Sequence, residues 1–361
     1  MILHNRVNRH VLKEKIQKST RRRTTLSFYK YFHIDDPAVY RDQLYAEFSD
    51  LEVLGRIYVA AEGVNAQISV PEDRIDAFKG YIEQSRDLSG IRLNIAVDDD
   101  GKSFYKLKIQ VRNKIVADGL NDSTFDVTKR GKHVSAEQFN ELAADPNTII
   151  IDMRNHYESE VGHFENAICP DVDTFREALP LVEDMLKDQK DKNLVMYCTG
   201  GIRCEKASAY YKHKGFKNVF QLDGGIIEYA RQAKEKNIPN LFHGKNFVFD
   251  ERLGERISDE VISVCHQCGK PADTHTNCRN EACHLLFIQC ADCAEAMEGC
   301  CSEECVEIIH LPEEEQKELR KNINKGRQVY RKGRSPKLLF KKQGDSVSVG
   351  SELKNKEPQK A

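Results

Sequence analysis

An apolar run, a glycine pair and a polar helix pattern follow one another around Val195-Met196-Tyr197-Cys198-Thr199-Gly200-Gly201-Ile202-Arg203-Cys204. The apolar run at residues 194–197 predicts a buried parallel strand, and residues 205–213 predict a helix. Cys198 then lies at a strand-to-helix turn, where two adjacent glycines let successive backbone N–H groups point inward. Because the helix adds the positive end of its dipole, the sequence predicts an anion-binding loop with a thiol at its rim. We call residues 198–203 the cradle loop.

The thiol of Cys198 is expected to ionise near neutral pH. Backbone N–H donors, the helix dipole and the cation of Arg203 all favour the thiolate over the thiol. We interpret Cys198 as a nucleophilic or sulfur-carrying residue, with Arg203 stabilising the anionic sulfur or a nearby phosphate. The alternative is that Cys198 is a small buried apolar residue before a turn. Cys204 either resolves a disulfide with Cys198 or simply packs in the helix.

The length and composition of the chain point to several domains. At 361 residues it exceeds one ordinary domain, and two or three are expected. No apolar run approaches the roughly 18 residues of a membrane span, and the first 30 residues lack the apolar core of a secretory signal. We therefore expect a soluble, cytoplasmic protein without a membrane partner.

The net charge of −2 conceals an uneven distribution of charge. Residues 1–30 carry +8, residues 316–361 carry +10, and the segment between them carries −20. Basic arms of this kind bind polyanions such as nucleic acid, or they are solvated tails, and composition leaves both open. A mitochondrial transit peptide is a further interpretation of the start, although no cleavage signal is visible. We expect a basic arm at 1–25 and a basic, largely disordered tail at 311–361.

Residues 26–103 predict a ferredoxin-like split βαβ domain, because strand and helix patterns follow one another in the order β-α-β-β-α-β. Strands are expected at 26–32, 56–61, 64–70 and 91–97, and helices at 37–48 and 71–85. The open face of such a four-stranded sheet can bind RNA. The first strand carries aromatic side chains, of which alternation buries about half; they are Phe28, Tyr29, Tyr31 and Phe32.

Residues 104–131 predict a basic connector or an edge strand, since basic and apolar side chains alternate there. The basic positions are Lys106, Lys108, Arg112 and Lys114. Lysine on an edge strand protects against aggregation, and the same pattern forms a track for phosphates. The sequence leaves both interpretations open.

Residues 132–240 predict an α/β domain with a parallel sheet, because strands alternate with helices. Strands are expected at 148–151, 194–197 and 219–222. Reactive groups in such sheets gather at the carboxyl ends of the strands, where Asp152, Arg154 and Cys198 are expected to meet. Asp152 and Arg154 either bind substrate or form an ion pair that holds the neighbouring loop.

Five ordered motifs carry a resemblance to a known family. Two further groups of residues lie in the predicted α/β domain: Asp152-Met153-Arg154-Asn155 with Glu158, Gly162-His163-Phe164 and Ala167, and the cradle loop with Leu222-Asp223-Gly224-Gly225-Ile226. These resemble the rhodanese signature. The five motifs, in chain order, are Phe28-Tyr29-Lys30-Tyr31-Phe32, Glu62-Gly63-Val64-Asn65-Ala66-Gln67-Ile68-Ser69, residues 197–207, Gly244-Lys245-Asn246-Phe247-Val248-Phe249-Asp250-Glu251-Arg252 and Cys265-His266-Gln267-Cys268-Gly269. Together they resemble the rhodanese-related tRNA wobble-uridine hydroxylases of bacteria.

This resemblance implies oxygen-dependent conversion of the wobble uridine of tRNA to 5-hydroxyuridine. It implies contact with the anticodon region, molecular oxygen as co-substrate, and Cys198 as the active cysteine, to which a persulfide is usually attached. The sequence has no flavin or haem signature. The alternatives are a sulfurtransferase that passes persulfide sulfur to an acceptor, and a non-catalytic RNA-binding module. The basic tail, after a charged helix at 313–325, is expected to hold tRNA electrostatically.

Residues 241–310 predict a small cysteine-rich zinc module, because nine of the twelve cysteines lie between Cys265 and Cys305 in short-spaced groups. We expect two structural zinc sites, with iron–sulfur as the alternative metal. One arrangement is interleaved, with Cys265, Cys268, Cys290 and Cys293 in one site and Cys278, Cys283, Cys305 and either Cys300 or Cys301 in the other. His266 and His284 are possible substitutes.

Overall fold

The computed structural model describes residues 7–122, 124–321, 335 and 338. It divides into two compact units, and the second begins at Val261. Most of the predicted basic tail, beyond Lys321, lies outside the described residues. Within the part of the chain that is described, no helix is long and apolar enough to cross a membrane.

The first part of unit 1 has the predicted β-α-β-β-α-β order. Its elements are helix α1 (Arg9–Lys18), strand β1 (Arg23–Tyr31), helix α2 (Pro37–Asp50), strands β2 (Leu54–Ala60) and β3 (Gly63–Pro71), a 3₁₀ turn (Glu72–Arg74), helix α3 (Ile75–Gln84), and strands β4 (Asn94–Ile95) and β5 (Leu107–Val111). The predicted start of the first strand, residue 26, is three residues late, because the buried Arg23 guanidinium already bonds to the backbone carbonyl of Ser69. Of the strand predicted at 91–97, only Asn94–Ile95, which is β4, forms a strand.

The sheet contains five strands in the order β4-β1-β3-β2-β5. The predicted connector supplies β5, which pairs in parallel with β2 and forms an edge of the sheet. Side chains on one face, such as Phe28, Ile57 and Ile109, are buried in a core that also contains Phe78 of α3. The other face therefore points away from α2 and α3.

The second part of unit 1 is the expected α/β domain. Its elements are β6 (Lys132–Val134), α4 (Ala136–Ala144), β7 (Thr148–Asp152), α5 (His156–Ser159), β8 (Gly162–Phe164), α6 (Phe175–Met185), β9 (Asn193–Tyr197), α7 (Ile202–His213), β10 (Asn218–Leu222), α8 (Gly225–Lys236), β11 (Phe242–Asn246) and β12 (Glu255–Arg256). The main sheet is parallel in the order β6-β10-β9-β7. The predicted helix start at residue 205 is three residues late, because α7 begins at Ile202 directly after the glycines.

Alternation along β9 divides its side chains between two cores, as expected for a parallel sheet covered on both faces. Met196 packs with Leu179 of α6 and Ala207 of α7. Tyr197 packs on the opposite side with Tyr229 of α8. Strand β11 pairs antiparallel with β8, so the segment that follows α8 remains part of this unit. The sheet thus presents the residue after β9, Cys198, at its carboxyl edge.

Unit 2 is small and rich in cysteine. Its elements are β13 (His275–Asn277), β14 (Leu286–Ile288), α9 (Ala291–Ala296), α10 (Glu303–Ile309) and α11 (Glu313–Lys321). The two strands form an antiparallel hairpin. Its core combines Phe287 and Leu285 with several buried cysteines, so there is little apolar material to stabilise it without metal.

Candidate active site

The cradle loop has the geometry that its two glycines predict. Gly201 adopts a φ of 98°, a left-handed conformation that side chains disfavour, and it precedes the first residue of α7. Its backbone N–H donates to the Sγ of Cys198 at 3.2 Å. Cys198 itself is 1% exposed. The sulfur therefore lies inside the turn, at the N-terminal end of α7, rather than on an open surface.

The two cysteines of this turn differ in ionisation. Burial disfavours the Cys198 thiolate, but a hydrogen bond from Cys204, the charge of Arg203 and the backbone N–H groups of both residues outweigh it, and the pKa of Cys198 falls to about 6. Burial, reinforced by the neighbouring Cys198, raises the pKa of Cys204 well above its ordinary value. Near neutral pH, Cys198 is thus a thiolate and Cys204 is a thiol that donates to it.

The positive charge beside Cys198 is held in place by a carboxylate. Arg203 makes two hydrogen bonds to Glu158, Nη1 to Oε1 at 2.7 Å and Nη2 to Oε2 at 2.8 Å. Both side chains are buried or nearly so, and the geometry is the two-pronged one that fixes an arginine most firmly. Phe249 covers the guanidinium, with 5.9 Å between its ring centre and Cζ. Arg203 is therefore a fixed charge, and Glu158 orients it.

A second glycine pair supports the cradle loop from behind. The backbone N–H groups of Ile226 and Ile227 donate to the carbonyls of Cys198 and Thr199 at 3.0 and 3.2 Å. A Cβ on Gly225 would lie 2.4 Å from the carbonyl oxygen of Cys198. Because these carbonyls point toward α8, the N–H groups of the loop are left to point toward the sulfur. The resemblance motif around Gly225 is thus explained by close backbone approach.

Asp152 and Arg154 form a buried ion pair beside the cradle loop. Arg154 Nη2 lies 2.6 Å from Asp152 Oδ2 and also donates to the carbonyl of Gly162 at 2.6 Å. Both side chains have no exposed surface, and the guanidinium stacks over the ring of Tyr197. The geometry favours the interpretation in which this pair holds the neighbouring loop, since neither residue is open to a substrate.

The N-terminal sheet contributes side chains to the same region. Tyr29 and Tyr31 donate to Glu205 Oε1 at 3.0 Å and to the carbonyl of Ile202 at 3.4 Å. Asn94 Nδ2 donates to the carbonyl of Gly200 at 3.4 Å. These residues lie on the polar face of the sheet, so the β1 end of that face is covered by the cradle loop and α7. The tyrosines are therefore not available there as a stacking platform for bases.

A buried lysine also joins the two parts of unit 1. Lys206 of α7 is 1% exposed, and its Nζ lies 2.9 Å from Glu62 Oε1 and 2.6 Å from Asp118 Oδ2. Glu62 and Glu158 lie within the sequence motifs, but the motifs alone assign them no role. Their position inside motifs was the only indication in the sequence that they matter. Their ion-pair partners lie far away along the chain, so the sequence does not identify them.

Unit 2 brings eight cysteines into two four-sulfur groups. They are Cys265, Cys268, Cys290 and Cys293, and Cys278, Cys283, Cys301 and Cys305. The sulfurs of each group lie within 4.8 Å of one another, with pairs at 3.6 Å, such as Cys268 to Cys290. A tetrahedral zinc ion with four thiolates separates its sulfurs by about 3.8 Å. Both groups can hold a metal ion and fit zinc, in the interleaved arrangement, and Cys301 rather than Cys300 completes the second.

Comparisons with known proteins match three consecutive segments of the chain. A model of the UPF0176 acylphosphatase like domain matches residues 23–115, one of the rhodanese-like domain matches 135–232, and one of the rhodanase C-terminal region matches 243–306. A protein of Photorhabdus laumondii named tRNA uridine(34) hydroxylase is 58% identical over 92% of this chain and 95% of its own length.

The chain belongs to the tRNA uridine(34) hydroxylase family. Proteins of the same name from Pectobacterium carotovorum and Yersinia enterocolitica are 58% and 57% identical, each over 92% of this chain and 94% or 95% of their own length. A solved rhodanese-like domain from Anabaena is 19% identical and covers 31% of this chain and 78% of its own, with a TM-score of 0.26. The family resemblance expected from the five motifs is confirmed.

Proposed function

We propose that this chain hydroxylates C5 of uridine 34, the wobble uridine of tRNA, and that Cys198 is its catalytic residue. The observation that carries the proposal is the cradle loop: a buried cysteine with a pKa of about 6 at the carboxyl edge of a parallel sheet. A thiolate in that position is a reactive group, because a structural buried cysteine has a raised pKa instead.

Several residues around Cys198 each stabilise a negatively charged sulfur, whether it is a thiolate or a persulfide. The N–H of Gly201 donates to it at 3.2 Å, and Arg203 supplies a charge that Glu158 fixes in place. Cys204 retains its proton and donates a hydrogen bond. Thr199, Gly200 and Ile202 shape the loop that carries these donors. Asp152 and Arg154 position the loop without contacting substrate.

The hydroxylation replaces the C5–H bond of uracil by C5–OH, and we propose molecular oxygen as the source of the oxygen atom. The second oxygen atom then leaves as water, with two electrons and two protons supplied by an external reductant such as a thiol. In unit 2, the two four-cysteine groups would each hold one zinc ion, which stabilises a small domain with little apolar core.

We propose that the enzyme contacts the anticodon region, where uridine 34 lies, and acts in the cytoplasm, where tRNA is found.

The test is mass spectrometry of wobble nucleosides in tRNA from a strain that lacks the gene. We expect 5-hydroxyuridine and nucleosides derived from it to be missing, and to return when the wild-type gene is supplied. Growth under ¹⁸O₂ should place the heavy isotope in the restored nucleoside. Unchanged nucleosides in the deletion strain would contradict the proposal.

A sulfurtransferase is the second candidate, because residues 135–232 match the rhodanese-like domain. It predicts transfer of sulfur from thiosulfate to a thiol acceptor by the purified protein, and unchanged 5-hydroxyuridine in the deletion strain. The two candidates therefore differ in both measurements.

A further inference from the structure

The polar face of the N-terminal sheet carries a cluster of cations that the cradle loop does not use. Four basic side chains and one tyrosine alternate along β2, β5 and the residues next to β5; they are Arg56, Tyr58, Lys106, Lys108 and Arg112. We call this cluster the basic sheet face. Arg56, Lys108 and Arg112 are exposed, and Lys106 and Tyr58 are partly so.

Strand pairing places these side chains next to one another. Arg56 is directly opposite Lys108 in the parallel ladder, and Tyr58 is opposite Gln110. The Arg112 guanidinium lies over the ring of Tyr58, 5.5 Å from its centre. Burial, together with the charges of Arg56, Lys106 and Arg112, lowers the pKa of Lys108. The cations are close enough to repel one another, which costs stability unless an anion is bound.

Acidic side chains are missing from the strands that carry this charge. The five strands of the sheet contain no Asp or Glu, although the chain has 57 acidic residues. Among the residues that the structure describes, none forms an ion pair with Arg56, Lys106 or Lys108. Lys114, the fourth basic residue of the predicted track, behaves differently because it is paired with Asp118 at 2.6 Å.

Protection of a sheet edge does not account for the cluster. Lys108 is on the edge strand β5, where a lysine discourages pairing with another chain. Arg56, however, is on β2, which has neighbours on both sides. Its side chain points out of the plane of the sheet and so adds charge to the face rather than to the edge.

A row of paired residues across the sheet connects the basic sheet face with the cradle loop. Strand pairing aligns Asn94, Ser27, Gln67, Arg56 and Lys108 across five strands. At one end of the row, Asn94 donates to the carbonyl of Gly200, and Ser27 Oγ would lie 3.8 Å from a Cβ on that glycine. At about 4.8 Å between strands, Arg56 and Lys108 lie roughly 10 and 14 Å from Ser27.

We propose that the basic sheet face binds backbone phosphates of tRNA and so directs the anticodon loop toward Cys198. This inference rests on the proposed function for its ligand. Arg and Lys on one face without acidic neighbours are the residues that hold a phosphodiester backbone. A nucleic acid bound there lies two or three strand spacings from β1, at the covered end of the face, so phosphate contacts and the reactive sulfur serve one substrate.

The test compares two double variants of the full-length protein. Arg56→Gln with Lys108→Gln removes two charges from the basic sheet face. Lys79→Gln with Arg86→Gln removes two exposed charges from the helix side of the same domain and serves as the matched control. Binding of a fluorescent unmodified tRNA transcript that contains uridine 34 is measured by anisotropy between 50 and 200 mM KCl, roughly the range over which phosphate contacts lose affinity.

The sheet-face variant should bind tRNA on the order of tenfold more weakly near 100 mM salt, with a salt slope flatter by about 1.5. The control should match the wild type, and all three proteins should share one thermal unfolding midpoint. Equal binding by the sheet-face variant and the wild type would overturn the inference, as would equal weakening in both variants. The nucleoside assay decides the proposed function separately, because it asks whether wild-type protein forms 5-hydroxyuridine.

Discussion

The hydroxyl of Tyr29 donates a hydrogen bond to Glu205, 3.0 Å from its Oε1. Tyr29 belongs to the N-terminal sheet and Glu205 to the helix that follows the cradle loop. The same hydroxyl would lie 2.8 Å from a Cβ on Gly201. The N-terminal domain is therefore part of the wall around the reactive cysteine, and its packing restricts which residues the loop can contain.

Gly201→Ala should lower both stability and tRNA hydroxylation. The φ of 98° costs a residue with a Cβ about 1–2 kcal/mol, and the contact with Tyr29 adds to that cost. In the Tyr29→Phe background the contact disappears, so Gly201→Ala should be less destabilising there. A double-mutant cycle of urea unfolding measures the difference. If Gly201→Ala lowers the free energy of unfolding equally in both backgrounds, the Tyr29 hydroxyl does not restrict the residue at position 201.

The Cys198 thiolate should depend on Cys204. In the wild type, alkylation of Cys198 by iodoacetamide, followed by mass spectrometry of its peptide, should rise with pH around a midpoint near 6. Cys204→Ala removes a hydrogen bond to the thiolate and should move the midpoint to higher pH. The rate of tRNA hydroxylation should decrease at pH values below the wild-type midpoint, because protonation of Cys198 removes the thiolate. An unchanged midpoint in the variant would show that Cys204 does not stabilise the anion.

Lys206→Met should destabilise unit 1 by about 3 kcal/mol, because Glu62 loses its cation and Asp118, although still paired with Lys114, loses a buried one. The control is Lys217→Met. Its side chain is 71% exposed beside Asp191, so solvent screens this ion pair and its loss should hardly change stability. Chemical denaturation of the two variants measures both values. Similar small losses would mean that Lys206 does not join the two domains.

Cys301→Ser should lower the zinc content from two ions per chain to one, while Cys300→Ser should retain both. The two residues are adjacent and similarly buried, but only Cys301 belongs to a four-sulfur group. Elemental analysis of the purified variants, after dialysis without added metal, gives the stoichiometry. Loss of an ion from both variants, or from neither, would contradict the assigned ligands.

Local patterns in the sequence predicted the features that depend on neighbouring residues. The apolar run before Cys198 and the two glycines after it specified a strand, a turn and a helix. Cysteine spacing likewise anticipated the two interleaved groups, although not the choice between Cys300 and Cys301. That choice depends on the direction in which each side chain leaves the turn before α10.

Local sequence patterns did not predict the features that depend on contacts between residues far apart in the chain. Glu158 orients Arg203 from a helix 45 residues earlier, and no spacing rule connects them. The polar face of the N-terminal sheet also looked like an open platform, but α7 covers its β1 end. Among the basic residues after it, Lys114 resembles Lys108 in sequence, yet only the fold pairs Lys114 with Asp118.

The most direct measurement of the central claim is the 5-hydroxyuridine content of tRNA from the deletion strain carrying Cys198→Ser or Cys169→Ser. Cys169 is a matched control, because burial raises its pKa to about 12 and it is not a thiolate at neutral pH. With equal protein levels, we predict that Cys169→Ser restores the nucleoside to the wild-type amount and that Cys198→Ser restores none. Full restoration by Cys198→Ser would contradict the account.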